Sequence, residues 1–562
     1  MNTFTKFPIL AGTPDPRVRR TLTPRRVMTT RGDVRGEESL LNVLPPQVML
    51  WTPGACRLIN SAEGEKAGVL VDFGIELHGT VTVTVTGITP KGGTIDIRVR
   101  TGESAAEALT PLGVKNTTND HATRDLILPV SFYSANETPE TGFRFAYVEL
   151  VTANASAEIA SIQAAAILRD LEYVGSFDCS DPLLTKCYDT AAYTVHLNMQ
   201  RYLWDGIKRD RLIWAGDMNT EVNTILAVFG GGCDVMPASL DRIRDVTPPD
   251  QFMNGMAAYS LWWTLCHYDW YMGTGDKKYL MEQRDYLKAL IPRYFDFIDE
   301  NGAEALPNKF FDHPNQANPD SRHAGLQGLM RYALRGASEL FRYMEEYDLS
   351  QQCLFHADRL LAHRPDPMGE KQPAAMLALS GILDPGETAE KIILPGGAMG
   401  LSTFLGYYTL TAVAEAGLTP AALPLIRQYW GTMLDLGATT FWEDFDVTWA
   451  ENAHRIDELP VPGKKDPHGD CGAYCYRNFR HSLCHGWASG PAPFLTKYVL
   501  GIRPFTPGMK AVRFAPELGD LSWAKGMVPT PYGVITVELE KDKSGRTIGK
   551  IEKPDEVDVI VK

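Results

Sequence analysis

The sequence predicts a multidomain protein: an (α/α)6 helical toroid flanked by an N-terminal and a C-terminal β-sandwich. Three observations predict it. Residues from about 40 to 170 alternate in β-branched runs, residues from about 175 to 500 carry long amphipathic stretches, and short alternating runs return after about 502. The expected bounds are 1–172, 173–501 and 502–562. A chain of 562 residues is also too long for one compact domain.

The first region rests on Gly68–Gly74, Thr80–Val85, Thr94–Arg100 and Phe143–Leu150. The first two are β-branched runs with alternation, Thr94–Arg100 alternates strictly and Phe143–Leu150 nearly so, and Gly, Pro and Asn clusters separate them. Arginines at 17, 19, 20, 25, 26, 31 and 35 alternate with acids and prolines, which predicts a solvated first segment rather than a transit peptide. In the middle, helical periodicity runs through 182–203, 257–273, 277–300, 327–347, 351–363 and 401–416. About 325 residues at roughly 27 per helix and loop make about twelve helices, the number two rings of six require. The count does not exclude another helical array. After Pro504, Pro507 and Gly508, runs at 511–514, 533–539 and 557–561 predict a small sandwich that must dock on the helical part to be stable.

Composition narrows the function. Hydrophobic content of 44% and charged content of 22% are those of a water-soluble globular chain. A net charge of −14 opposes binding to nucleic acid or to an anionic membrane, and a neutral sugar remains compatible. No secretory signal is visible in Met1–Pro8, and nine scattered cysteines fit reduced thiols of a cytoplasm. His468, Cys471, Cys475, His481, Cys484 and His485 lack the paired spacing of a zinc site, so packed thiols with one functional histidine are expected, and no metal. No nucleotide fingerprint is present, and no cofactor is expected. The oligomeric state stays open, a homodimer included.

Residues 204–217 are the most informative stretch. Three carboxylates (Asp205, Asp210, Asp217), three cations (Lys208, Arg209, Arg211) and Trp204 and Trp214 share fourteen positions without a helical or strand period. Carboxylates bind sugar hydroxyls and move protons, and tryptophan faces stack on pyranose rings. Here the resemblance enters. The stretch is similar to the signature of the α-L-rhamnosidases of glycoside hydrolase family 78. It matches at Asp205, Arg209, Arg211, Leu212, Trp214, Gly216 and Asp217, and it carries Asp210 where the family has its general-acid Glu.

Gly437-Ala438-Thr439-Thr440-Phe441-Trp442-Glu443 resembles a second family segment, whose Glu is the general base. His485, within Ser482–Ala488, resembles a family histidine near that base. The insert 449–480 is expected to cover the pocket and select the rest of the substrate. Phe311-Asp312-His313 aligns weakly with a segment that supplies an aromatic wall.

The resemblance implies an inverting hydrolase that releases terminal α-L-rhamnose, with Glu443 activating water and Asp210 protonating the leaving oxygen. Asp205, Arg209, Trp214, Asp217, Trp442 and His485 would bind the sugar. The residues alone leave alternatives: helix caps or ion pairs for Asp205 and Asp217, plain core for Trp214, a structural role for His485, a surface acid at Glu443. Asp210 is one methylene short, so either the backbone sits closer, Glu221 replaces it, or hydrolysis is weak and the pocket binds. A different sugar on the same barrel is the runner-up.

Overall fold

β-branched runs dominate the first region, and they build one ten-stranded antiparallel sheet. The structure, a computed structural model, describes residue 9 and residues 12–561. Met1–Pro8, in which no secretory signal is visible, lie outside the described residues. The sheet runs in the order Asp33–Arg35, Cys56–Asn60, Ala155–Arg169, Gly68–Thr89, Thr141–Leu150, Ile95–Gly102, Asp125–Val130. Val69, Val71, Val81, Val83, Val85, Ile97, Val99 and Val148 fill its separate core.

The arginine-rich start is not a solvated lead. Arg17–Leu22 pairs with residues 164–169, and Arg26–Arg31 pairs with the first part of Gly68–Thr89. Alternation there is masked by arginines that meet carboxylates, as Arg17 does with Asp15 and Glu140. The pairing of Gly68–Thr89 with Thr141–Leu150 shifts register between Asp72 and Leu77. Such an irregularity bends the strand and frees backbone groups. At this bend Glu76 N–H donates to Thr439 Oγ1 (2.9 Å), and Tyr193 donates to the Glu76 carbonyl. The β region therefore meets the helical region beside the second motif.

In the middle, Met218–Val228, Ala257–Thr274, Pro319–Tyr343, Lys371–Ser380, Gly406–Glu415 and the pair Pro491–Phe494/Leu495–Val499 follow one another in contact, and the last touches the first. Ala257–Thr274 is apolar nearly all round, as a helix enclosed by others must be. A Cβ on Gly328 would lie 2.6 Å from the Met376 carbonyl carbon, so this glycine permits the close approach of two neighbouring helices. The stretch 277–300 is not one helix. It breaks into Lys277–Glu282, Arg284–Leu290 and a 3-10 segment Ile291–Phe297, where Pro292 removes a backbone donor. Among the described residues no helix is long and apolar enough to cross a membrane.

At the C-terminal end, Trp523–Thr530, Gly533–Lys541 and Thr547–Glu552 form a sheet whose fourth strand is Ser176–Cys179. That strand lies in the segment expected to open the helical part. Four residues were too short to show a period against the helix that follows. Ile502–Pro504, Ala511–Phe514 and Asp558–Val561 form a second, three-stranded sheet. One hydrophobic core joins the helices to these sheets, through Phe177, Val512, Phe514, Val537 and Leu539.

Candidate active site

Three chain segments lie side by side at the N-terminal ends of the ring helices. Gly206 bridges His485, Gly486 N–H donates to the Asp205 carbonyl (2.8 Å), Glu443 N–H to the Ser482 carbonyl (3.0 Å) and His485 N–H to the Phe441 carbonyl (3.0 Å). Both motifs and the histidine segment are thus held by backbone bonds, which leaves their side chains on one site. Asp217 directly precedes Met218–Val228, Tyr259 lies in the first turn of Ala257–Thr274, and Trp487 precedes Pro491–Phe494. Helix N-termini favour negative charge.

Arg209 joins the two carboxylates of interest. One guanidinium nitrogen donates to Asp210 Oδ1 (2.8 Å) and another to Glu443 Oε1. Glu443 also accepts the Ser482 N–H at Oε2 (3.0 Å). Burial raises the pKa of Glu443, while Arg209 and the Ser482 N–H pull it back. Asp210 is the more exposed of the two acids, and its Oδ1 lies 3.5 Å from Nε2 of His121, a residue of the β region. Asp210 and Arg211 both have positive φ, 56° and 54°. Consecutive left-handed residues make a tight local turn that Asp tolerates better than most side chains.

His485 Nε2 faces Glu443 Oε1 (3.6 Å), Asp205 Oδ2 (3.7 Å) and Asp217 Oδ2 (3.9 Å). Burial, and then Arg209, holds its pKa well below the usual histidine value, so the ring is neutral. Asp205 Oδ1 accepts the Leu212 N–H (3.0 Å) and closes its loop, and Asp217 Oδ1 accepts the Tyr259 hydroxyl (2.8 Å). Burial first, then neighbouring carboxylates, push Asp205 and Asp217 well above the ordinary range. Gly216 is required here, because a Cβ would lie 2.4 Å from the Tyr259 ring.

Two expected roles need correction. Trp442 has no exposed surface and packs edge-on against Phe445 and His481, so it is core beneath the site rather than a sugar wall. Glu221 is also fully enclosed, with neither carboxylate oxygen hydrogen-bonded, against the backbone of Gly486. Burial raises its pKa well above normal, but no face of it opens toward a leaving group. Trp214, half-buried, packs edge-on against Tyr259.

Sequence reasoning missed other residues. Trp487 packs at a tilt of 39° against His485, with ring centroids 4.1 Å apart, and donates its indole N–H to the Glu443 carbonyl (2.9 Å). Tyr476 lies under the Arg209 guanidinium (5.4 Å) and shares a 2.6 Å hydrogen bond with His313. The weakly aligned segment 311–313 therefore does reach this site. Of the insert 449–480, residues 474 and 476 approach His313, whereas Ile456, Asp457 and Asp470 bind the β region. The zinc-like group resolves into separate tasks: His481 Nε2 accepts the Asp444 N–H, and all nine cysteines are free. Glu103, Glu107 and His468 bring three ligand-type atoms within 4.8 Å of one another, and the Lys208 ammonium sits among them.

Residues 172–315 match the family model of the bacterial alpha-L-rhamnosidase 6 hairpin glycosidase domain, and 501–562 match that of the bacterial alpha-L-rhamnosidase C-terminal domain. An alpha-L-rhamnosidase of Streptomyces avermitilis is 22% identical over 91% of this chain, which spans only 50% of that relative. The structure of a GH78 family rhamnosidase from Bacillus sp. GL1 superimposes with a TM-score of 0.73 at 22% identity, covering 93% of this chain and 55% of that one. A rhamnosidase from Klebsiella oxytoca with rhamnose bound gives 0.66 at 19% identity, covering 85% of this chain and 95% of that one. The chain has the fold of these rhamnosidase structures, and family models of a glycosidase of that kind match its middle and its C-terminal segment.

Proposed function

We propose that the protein is an exo-acting, inverting α-L-rhamnosidase built as an (α/α)6 toroid between two β-sandwich regions, each sandwich formed by the sheets described above. The closed succession of six helices supports the toroid. One observation carries the chemistry: a single guanidinium, Arg209, holds carboxylates from two motifs more than 230 residues apart in sequence.

In this reading Glu443 takes a proton from water as the water attacks the anomeric carbon, and Asp210 gives a proton to the departing oxygen. Inversion places the two carboxyl groups about 6.5–9.5 Å apart when the water and the sugar are bound. Asp205, Asp217 and His485 take the sugar hydroxyls. Burial keeps the Asp205 and Asp217 carboxyls poor in charge, so they can donate as well as accept hydrogen bonds with those hydroxyls. Trp214, Trp487 and Tyr476 supply apolar faces, and the nine free cysteines support a reducing compartment.

A screen of aryl glycosides tests the reading. Aryl α-L-rhamnoside should be cleaved, and Glu443→Gln should lower kcat by ~10²–10⁴-fold while rhamnose affinity persists. Undiminished turnover in that variant would remove Glu443 from the mechanism. A second reading, a weakly catalytic sugar-binding protein, is favoured by Asp210 alone. It predicts rhamnose binding without turnover by the unaltered chain.

A further inference from the structure

Behind the two carboxylates lies a buried network that the chemistry above does not use. Lys208 precedes Arg209, and its ammonium points away from the sugar side into the β region. It meets Glu103 Oε2 (2.9 Å) and Glu107 Oε1 (3.3 Å), and donates to the carbonyls of Phe479 (3.0 Å) and His481. Glu103 accepts the Leu483 N–H at Oε2 (2.7 Å) and the Ser482 hydroxyl at Oε1 (3.2 Å). Ser482 N–H in turn donates to Glu443 Oε2. Lys208 and Glu103 thus tie together, from behind, the segment that carries Arg209 and Asp210 and the segment that fixes Glu443.

We propose that Glu103 and Lys208 are positioning residues for Glu443, acting as one ion pair that sets the place of Ser482 and through it the carboxylate's orientation. The inference rests on the reading of Glu443 as the base. It gives the N-terminal β region a part in the reaction, because Glu103 stands at the end of the strand Ile95–Gly102, just before the short helix Ala105–Leu109. Three features favour positioning over mere packing. Both side chains are buried, so the pair makes no use of solvent. Glu103 spends both oxygens on the 482–483 backbone and side chain, and only one on Lys208. The ammonium, moreover, occupies the centre of a three-ligand group, where a neutral side chain would leave Glu103 and Glu107 facing each other. Burial pushes the Glu103 carboxyl up to about 7 despite Lys208. Burial likewise opposes the Lys208 charge, yet Glu103 and Glu107 hold its pKa above the lysine value.

The test uses the full chain with Glu103→Gln, Lys208→Met and the double variant, assayed on an aryl α-L-rhamnoside across pH. Removing one charge misplaces Ser482. A shift of about 1 Å costs on the order of 100-fold in rate, so kcat should fall ~10–100-fold with KM within about threefold. The Ser482 N–H favours ionised Glu443, so weakening it raises the pKa of the base, and the acidic limb of the kcat/KM profile moves to higher pH. The other groups around Glu443 (Arg209, the neutral His485, Asp205, Asp210 and Asp217) are unaltered in these variants. Because the two residues act as a unit, the double variant should be no slower than the worse single one.

Breaking a buried pair can prevent folding, whereas replacing both partners by neutral groups is better tolerated. The double variant is therefore the deciding protein. Folded, with wild-type kcat and an unmoved limb, it would overturn the proposal. If the unaltered chain cleaves no rhamnoside, the functional reading fails. The pair is then judged by crystal structures of the unaltered chain and the double variant: a lengthened Ser482–Glu443 contact supports it, and an unmoved one overturns it.

Discussion

At the residue scale the proposed acid, Asp210, is one methylene shorter than the Glu of the signature it resembles. Asp210 sits on a turn of two left-handed residues, within hydrogen-bond reach of Arg209 and 3.5 Å from His121. In the proposed mechanism this turn, rather than side-chain length, brings the carboxyl forward. If Asp210 is the acid, Asp210→Asn slows phenolic leaving groups little and alkyl aglycones most, by ~10²-fold or more, because only the latter need the proton. Equal losses for all aglycones would contradict this. The clustering of Asp205, Asp210 and Asp217 around Arg209 and His485 was legible in the sequence, because mixed charges and tryptophans without a period argue against a plain helix or strand. Trp442 was misjudged for the same reason, since spacing beside Glu443 says nothing about which way an indole faces. Trp487 and Tyr476 were missed because their roles depend on partners at 443, 209 and 313.

At the element scale the site is made by three loops laid against one another, and Gly486 is where they are tightest. An added Cβ would lie 1.5 Å from Glu221 Oε1, which has nowhere to retreat. Gly486→Ala should therefore cost ~1–3 kcal/mol, read as a lower denaturant midpoint, and Glu221→Ala in the same chain should recover most of the loss. No recovery would mean that the strain lies in the backbone of 485–488. Long periodic helices such as Ala257–Thr274 were readable end to end. The broken stretch 277–300 was not, because the period continues across Gln283 and Pro292 although the hydrogen bonds do not. The docking of 449–480 on the β region was equally hidden, since it depends on pairs such as Asp457 with Arg144.

At the scale of the whole molecule, helices and C-terminal sheets share one core, and the strand Ser176–Cys179 is sewn into the latter. A chain cut at residue 501 should lose the helical circular dichroism signal at 37 °C rather than survive as a smaller folded unit. The opening and closing β textures were legible, but not this strand exchange, because pairing partners are not written in local alternation. Stability should also depend on pH. Burial raises Asp312 and Asp444 to about 7, so the folded chain holds protons there that the unfolded chain releases near pH 4, and stability falls as pH rises toward and through 7. Buried His313, lowered to about 4, acts the opposite way below pH 6.5. Tm should therefore be higher at pH 6.5 than at pH 8, as differential scanning calorimetry would show.

The central claim is that Glu443 and Asp210 stand on opposite sides of one sugar with a water between the base and the anomeric carbon. Proton NMR of aryl α-L-rhamnoside during the first turnovers tests it most directly. The account predicts β-L-rhamnose as the first anomer seen, with no signal from Glu443→Gln. α-L-Rhamnose appearing first would mean that the carboxylates act through a covalent intermediate, and would contradict it.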